Sequence, residues 1–201
     1  MDDLMPLPRS FFQRPARELG PRLLGCHLVA GEVVIRITEV EAYEGDTDPG
    51  SHAYRGRTNR NATMFGEPGH LYVYRHMGLH SCCNIVASTT DHANGCLLRA
   101  GEVVRGVETA RARRAAAGVT RSDRDLAQGP GRMTVALGIN WLDDGLDLCD
   151  PASGMHLADR SGADPEIVAG PRIGLRPEAT EPQHLWLRFH VAGEPTVSGR
   201  R

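Results

Sequence analysis

The chain has 201 residues, 40% of them hydrophobic, and a formal net charge of -2, a size at which one domain buries most of the apolar surface its unfolded chain would expose. No apolar run approaches the roughly 20 residues of a membrane span, and the opening MDDLMPLPRS is acidic where a secretory leader would be basic, so a cytoplasmic protein is expected. All 23 residues of the Lys+Arg count are arginine, which excludes chemistries that need a lysine amine: a Schiff base, a pyridoxal anchor or a P-loop lysine.

Five cysteines, Cys26, Cys82, Cys83, Cys96 and Cys149, form no CxxC pair, and nine histidines form neither HExxH nor HxE followed by PCxxC. Neither a disulfide framework nor a zinc site is expected. Charge is spread unevenly. Residues 51–124 carry 11 arginines against 5 acids, whereas 1–50 carry 5 against 9 and 139–201 carry 6 against 10. A basic middle third on an acidic chain fits phosphate contact, and fits equally a solvated arginine-rich surface.

In chain order, Pro15 opens a predicted helix over 16–25 that Gly20 and Pro21 should bend or interrupt. A strand over 26–30 and a Gly31-Glu32 turn lead into VVIRITEVEAY (33–43), where Val33, Ile35 and Ile37 share one parity with Glu39, Glu41 and Tyr43. Residues 44–70 read as a long loop of the kind that carries function. LYVYRH and LHSCCNIVAS (71–76 and 79–88) predict a β-hairpin with its tip at Met77-Gly78. CLLRA (96–100) reads as a strand, and helices are predicted over 101–117 and about 122–137, the second interrupted at GPGR. Short strands follow at MHLA (155–158), PRIGL (171–175) and HLWLRFHV (184–191). Strands, helices, then strands again, without regular alternation, predict an α+β fold. We expect one domain over 1–201 with a curved antiparallel β-sheet, flanking helices and a protruding β-hairpin, residues 1–14 and 193–201 being flexible ends.

Three stretches resemble one family: EVEAYEGDTDPGSHAYRGRTNRNATMF (39–65), PGHLYVYRHMGLHSCCN (68–84), and CLLRA with GPGRMTVALGI (129–139) behind it. The EAY, loop histidine, YVY and Cys-Asn segments occur in order, and over roughly residues 15–192 the chain resembles the alkyladenine (3-methyladenine) DNA glycosylase family. The resemblance implies a base-excision-repair enzyme that flips alkylated or deaminated purines (3-methyladenine, 7-methylguanine, hypoxanthine, ethenoadenine) out of double-stranded DNA from the minor-groove side and hydrolyses the N-glycosidic bond. It implies no cofactor, no metal, no membrane and no obligatory protein partner. Without lysine the enzyme should be monofunctional and leave an abasic site.

Cleaving a C–N bond through an oxocarbenium-like state calls for a carboxylate that orients water and balances positive charge. Glu41 is the candidate, and the resemblance gives it that role; Glu39 shares its parity, and periodicity alone cannot separate the two. Arg99, in a short buried-looking strand, needs an anionic partner. The resemblance has it hold the attacking water beside Glu41 with the backbone carbonyl of Ile173; a salt bridge to another acid is the alternative. Around the extruded base the resemblance places Tyr43, His52 and Tyr74, with Tyr72 on the parity of Tyr74. Asn84 would exclude the 2-amino group of guanine, or else be an ordinary strand asparagine bonded to backbone. Met77 stands where well-known members carry a tyrosine wedge, and is expected to intercalate less rigidly. Arg55, Arg57, Arg60, Arg75 and Arg132 are candidate phosphate contacts. A nucleoside or glycoside hydrolase would need neither the arginine-rich middle nor a wedge, and a non-catalytic lesion binder would not need Glu41.

Overall fold

The computed structural model describes residues 4–88, 92–176 and 179–199. Eight strands form one open, wholly antiparallel sheet: β1 (His27–Ala30), β2 (Val33–Glu44), β3 (Leu71–His76), β4 (His80–Ala87), β5 (Asn94–Arg105), β6 (Met155–Ala158), β7 (Ile167–Gly170) and β8 (Arg188–Val191). Helices α1 (Ala16–Leu23), α2 (Val107–Ala117), α3 (Pro130–Leu137) and α4 (Pro182–Leu185) complete an α+β fold, the class expected from the sequence. Along the sheet the order is β3-β4-β5-β2-β1-β6, with β8 pairing both β2 and β7.

Strand β2 organises the molecule. One edge pairs β5 along its length; the other pairs β1 at residues 33–36 and β8 at residues 39–41. Between these halves the register shifts twice: Ile37 faces Gly101, Glu39 faces Ala100 and Val40 faces Leu98, so Thr38 is extra on β2 and Arg99 extra on β5. Paired bulges of this kind re-aim side chains. Val33, Ile35 and Ile37 enter the core, but beyond the bulge it is Val40 and Ala42 that do so. Glu39, Glu41 and Tyr43 therefore leave the core face, and the single parity expected for all six residues is broken. The crossing is tight, since a Cβ on Gly101 would lie 2.2 Å from Ile35 Cγ2 and 2.6 Å from the Arg36 carbonyl oxygen.

The core face of β2 packs against Leu19 and Leu23 of α1 and is continued by Met133, Ala136 and Leu137 of α3. Several boundaries differ from expectation. Residues 101–105 continue β5, paired to 34–37, and α2 starts only after Gly106, whose φ of +72° ends the strand. The stretch 122–137 is helical from Pro130, with a single 3-10 turn at Asp123–Asp125 before it. Pro21 does not interrupt α1. PRIGL is a loop, HLWLRFHV begins in α4 and becomes a strand only at Arg188, and β7 had no clear signature. Both terminal stretches contribute to packing: Phe12 is fully buried, and Thr196, Val197 and Ser198 are buried. No helix among the described residues is long and apolar enough to cross a membrane.

Candidate active site

Beyond its bulge β2 delivers Glu41 and Tyr43 to a cavity of about 380 Å³ walled by β3, β4, the 44–70 loop and the 173–175 loop. Glu39 and Glu41 have no solvent exposure, and a buried carboxylate must find donors. Glu39 finds them all in the scaffold. Its Oε1 accepts from Arg99 Nε (2.9 Å) and Arg188 Nε (2.7 Å), and its Oε2 from the Ser198 N–H (2.5 Å). Glu41 lines the cavity instead. Its Oε1 accepts from the Ile173 N–H (2.7 Å), its Oε2 from the Tyr43 hydroxyl (2.8 Å), and Arg99 Nη1 lies 3.2 Å from Oε2.

Arg99 thus meets both carboxylates, Nε on Glu39 and Nη1 on Glu41, so the salt bridge to another acid is present while the guanidinium also reaches Glu41. Burial works to lower the Arg99 pKa, but Glu41 and Glu39 outweigh it and hold the guanidinium above its ordinary value. Burial, reinforced by Glu41, pushes the Tyr43 phenol well above its usual range, so it remains a donor. Ile173 engages Glu41 through its N–H, where the sequence reading invoked its carbonyl.

One support of this site was not foreseen. The guanidinium of Arg172 lies 4.6 Å from the Tyr43 ring centroid, buried, and is held by both oxygens of Asp48 (2.6 and 2.8 Å) and by the Ala42 and Ala179 carbonyls (3.0 and 3.2 Å). Burial opposes it, yet Arg172 and the N–H groups of Gly50 and Glu44 hold the Asp48 carboxyl below its ordinary pKa. The pair backs Tyr43 and anchors the residue before Ile173. Its only sequence trace is the Asp-Pro-Gly of the loop and the arginine of PRIGL.

The walls are aromatic. His52 packs edge-on to Tyr74 at 4.5 Å between centroids and its Nδ1 lies 3.1 Å from the Tyr72 hydroxyl. Loss of water around the ring, then the charges of Arg60 and His76, lower the His52 pKa. Burial pushes the Tyr72 phenol up to about 12 and raises that of Tyr74, to which Cys82 contributes. Met64 and Cys82, both buried, also line the cavity, and neither was singled out. Asn84 lines it too, and its Nδ2 donates to the Tyr72 carbonyl at 3.2 Å, so the backbone bond and the pocket position coexist.

The hairpin turn closes with Leu79 N–H donating to the His76 carbonyl at 3.0 Å. Met77 and Gly78 both have positive φ, +49° and +72°, the signature of a type I′ turn. Met77 is 81% and Leu79 82% exposed. The hairpin docks against the start of α3, where a Cβ on Gly131 would fall 2.4 Å from His80 Cδ2. Arg55 and Arg57 are exposed on the long loop. Arg60 lies over Tyr74 (6.0 Å) and donates to the Arg75 carbonyl (3.4 Å), bringing those two arginines together at the hairpin. Arg132, in the first turn of α3, sits apart from them near Asp125 (3.9 Å). Among the described residues no three His, Cys, Asp or Glu side chains converge to hold a metal ion.

A buried carboxylate is thus braced at the floor of an aromatic pocket beside an exposed apolar hairpin. The model of the family described as methylpurine-DNA glycosylase matches residues 10–195, and the chain belongs to that family, whose enzymes hydrolyse N-glycosyl bonds. Among its relatives is a protein of Streptomyces avermitilis, 46% identical, the match covering 99% of this chain and 93% of the relative. Another, from Corynebacterium glutamicum, is 47% identical over 97% of both chains, and one from Leifsonia xyli subsp. xyli is 46% identical over 94% and 90%. Each is named for 3-methyladenine DNA glycosylase activity.

Proposed function

We propose that the protein removes alkylated or deaminated purines from duplex DNA, of the 3-methyladenine, 7-methylguanine, hypoxanthine and ethenoadenine class, with Glu41 activating the attacking water. The observation that carries this reading is the state of Glu41. Of about four acceptor directions on a carboxylate, the Ile173 N–H takes one on Oε1 and the Tyr43 hydroxyl one on Oε2, beside which Arg99 Nη1 forms an ion pair. That leaves Oε1 an acceptor direction for a water proton. As the glycosidic bond breaks, its electron pair leaves with the base. The water oxygen bonds to the sugar carbon, Glu41 takes the water proton, and the carboxylate balances the charge that develops on the sugar. The product is an abasic site, and no amine in the chain's side chains can carry the reaction on to strand cleavage.

Recognition follows from the walls. Tyr43, backed by Arg172, offers a ring held in place for stacking; His52 and Tyr74 form the facing edge. Pinned to the Tyr72 carbonyl, Asn84 cannot swing away from a purine 2-amino group, which supports its role in excluding guanine. Met77 at the tip would fill the hole left by the flipped nucleotide from the minor-groove side, while Arg55, Arg57, Arg60, Arg75 and Arg132 supply salt-sensitive phosphate contacts. We further propose that residues 1–201 act as one domain. The test is single-turnover release of base from duplexes that each carry one of the four lesions. Release of at least one, with an alkali-labile abasic site left behind, is expected. Release of none, or activity on free nucleosides alone, overturns the reading.

A further inference from the structure

Alternation along β3 gives the hairpin two working faces. Tyr72, Tyr74 and His76 line the base pocket, whereas Val73, Arg75 and Met77 line a second, open groove of roughly 490 Å³, which Tyr74 also borders and Trp141 walls. Trp141 is 51% exposed and the adjacent Leu142 70%. Their turn is nonetheless fixed: the Asn140 side chain accepts from the Leu142 N–H at 2.9 Å, and the Asp143 carboxylate accepts from the Asn140 N–H at 2.7 Å. A large indole held outward in a fixed turn keeps apolar surface in water, which marks a contact surface.

The groove's other features select the partner. The Arg75 guanidinium lies 5.5 Å from the Trp141 ring centroid, and Arg60 lines the same groove. Its acid, Asp144, is exposed but engaged on both oxygens, one accepting from the Val73 N–H and the other from the Thr63 hydroxyl, both at 2.9 Å. Cations and an apolar ring side by side match a chain that alternates phosphate and sugar. Because Met77 lines this groove as well, it is continuous with the tip assigned to the minor groove. A hairpin in a groove about 6 Å wide must have a sugar–phosphate strand on each side.

We infer that this groove receives the deoxyribose–phosphate backbone of the duplex beside the flipped nucleotide, with phosphate against Arg60 and Arg75 and a sugar against Trp141. The inference rests on the glycosylase reading for the placement of the tip. In a Trp186→Phe background Trp141 is the only indole, since the chain has two tryptophans. Its fluorescence should be quenched as an undamaged duplex is titrated in, saturating with binding. Trp141→Ala should weaken duplex binding about tenfold, as loss of an aromatic nucleic-acid contact does, and leave the dependence of affinity on salt unchanged. Arg75→Gln should weaken binding and reduce the salt slope by about one. Trp141 emission that ignores a saturating duplex, or Trp141→Ala that binds like the parent, overturns the inference. Should the parent bind duplex with quenching but release no damaged base, the catalytic reading fails while the groove stands as a DNA contact.

Discussion

At the floor of the base pocket Glu39, Glu41 and Arg99 are buried and tied to one another, to Arg188 and to the backbone at Ile173 and Ser198. At the hairpin tip Met77 and Leu79 stand in solvent, and Met77 has a positive φ that costs a non-glycine residue about 1–2 kcal/mol. The contrast is what the proposed function asks of each region. A carboxylate that positions water works only within a fraction of an ångström, so its geometry is fixed several times over. A wedge works by leaving water for the base stack, so its contacts are withheld until DNA supplies them. Removing a group from the floor should therefore damage chemistry on any substrate, and removing one from the tip should matter only where a stack must be opened.

The largest effect belongs to the floor. Glu41→Gln should keep lesion-duplex binding within a few fold while lowering single-turnover excision by at least about a hundredfold, the size of positioned acid–base effects. Glu39→Gln sharpens the comparison within one strand. It removes the charge opposite Arg99 and Arg188, and breaking a buried ion pair costs about 3–5 kcal/mol, so the thermal midpoint should fall markedly. Excision per folded molecule should fall far less than in Glu41→Gln. Equal losses of excision would erase the distinction between the carboxylate that faces the cavity and the one that clasps the scaffold.

Next comes the tip. Met77→Ala should reduce the flipped fraction of an ethenoadenine duplex, read by its fluorescence, and slow duplex excision on the order of tenfold, equivalent to about 1.4 kcal/mol of contact present only in the flipped state. Excision from single strands should be spared. Met77→Tyr should move both quantities upward, because a ring stacks better and loses less side-chain entropy. Equal slowing on single and double strands, with a lowered thermal midpoint, would make Met77 a structural cap. A smaller shift is expected at the wall: Asn84→Gly should raise excision of guanine-derived bases relative to hypoxanthine by a few fold. A fixed ratio with a lower overall rate would leave Asn84 only its bond to the Tyr72 carbonyl.

The two regions were not equally legible in the sequence. The tip follows from local pattern: alternating strands around Met77-Gly78 give a hairpin and expose its turn. The pocket's membership was legible too, since Glu41, Tyr43, His52, Tyr74 and Asn84 belong to one ordered motif set and line one cavity. What separates Glu39 from Glu41 was not legible. It depends on partners far along the chain, Arg188 and Ser198 closing on Glu39 while Ile173 and the cavity meet Glu41, which no single segment encodes. Nor was the Asp48–Arg172 clamp, whose partners lie 124 residues apart. PRIGL reads as a strand because Arg172 stands between apolar neighbours, but Arg172 turns inward to Asp48 and Ile173 gives its N–H to Glu41 instead of to a neighbouring strand. Likewise 101–117 has helical composition throughout, and only the pairing of 101–105 with β2 makes its first part a strand.

Between floor and tip lies His52, where the smallest effect is expected. Crowding by the pocket wall, then Arg60 and His76, set its folded pKa below the ordinary 6.5. The fold therefore favours the neutral ring. Its contribution to stability is complete above pH 6.5 and declines as pH falls from 6.5 through the folded value, where protonation forces a cation against Arg60. His52 is an exposed residue, so this slope should be shallow. Its chemical consequence should be easier to see. A 3-alkyl- or 7-alkylpurine nucleotide carries a positive charge that hypoxanthine lacks, and a neutral imidazole at the pocket mouth admits that charge without repulsion. An NMR titration should place the His52 midpoint below 6.5, and Arg60→Gln should raise it without restoring it fully, because the crowding remains. As pH drops through that midpoint, excision of 7-methylguanine should fall relative to excision of hypoxanthine, and His52→Gln should flatten the ratio. A midpoint at or above 6.5, or a pH-dependent ratio that survives His52→Gln, would show that charge at this rim plays no part in admitting the base.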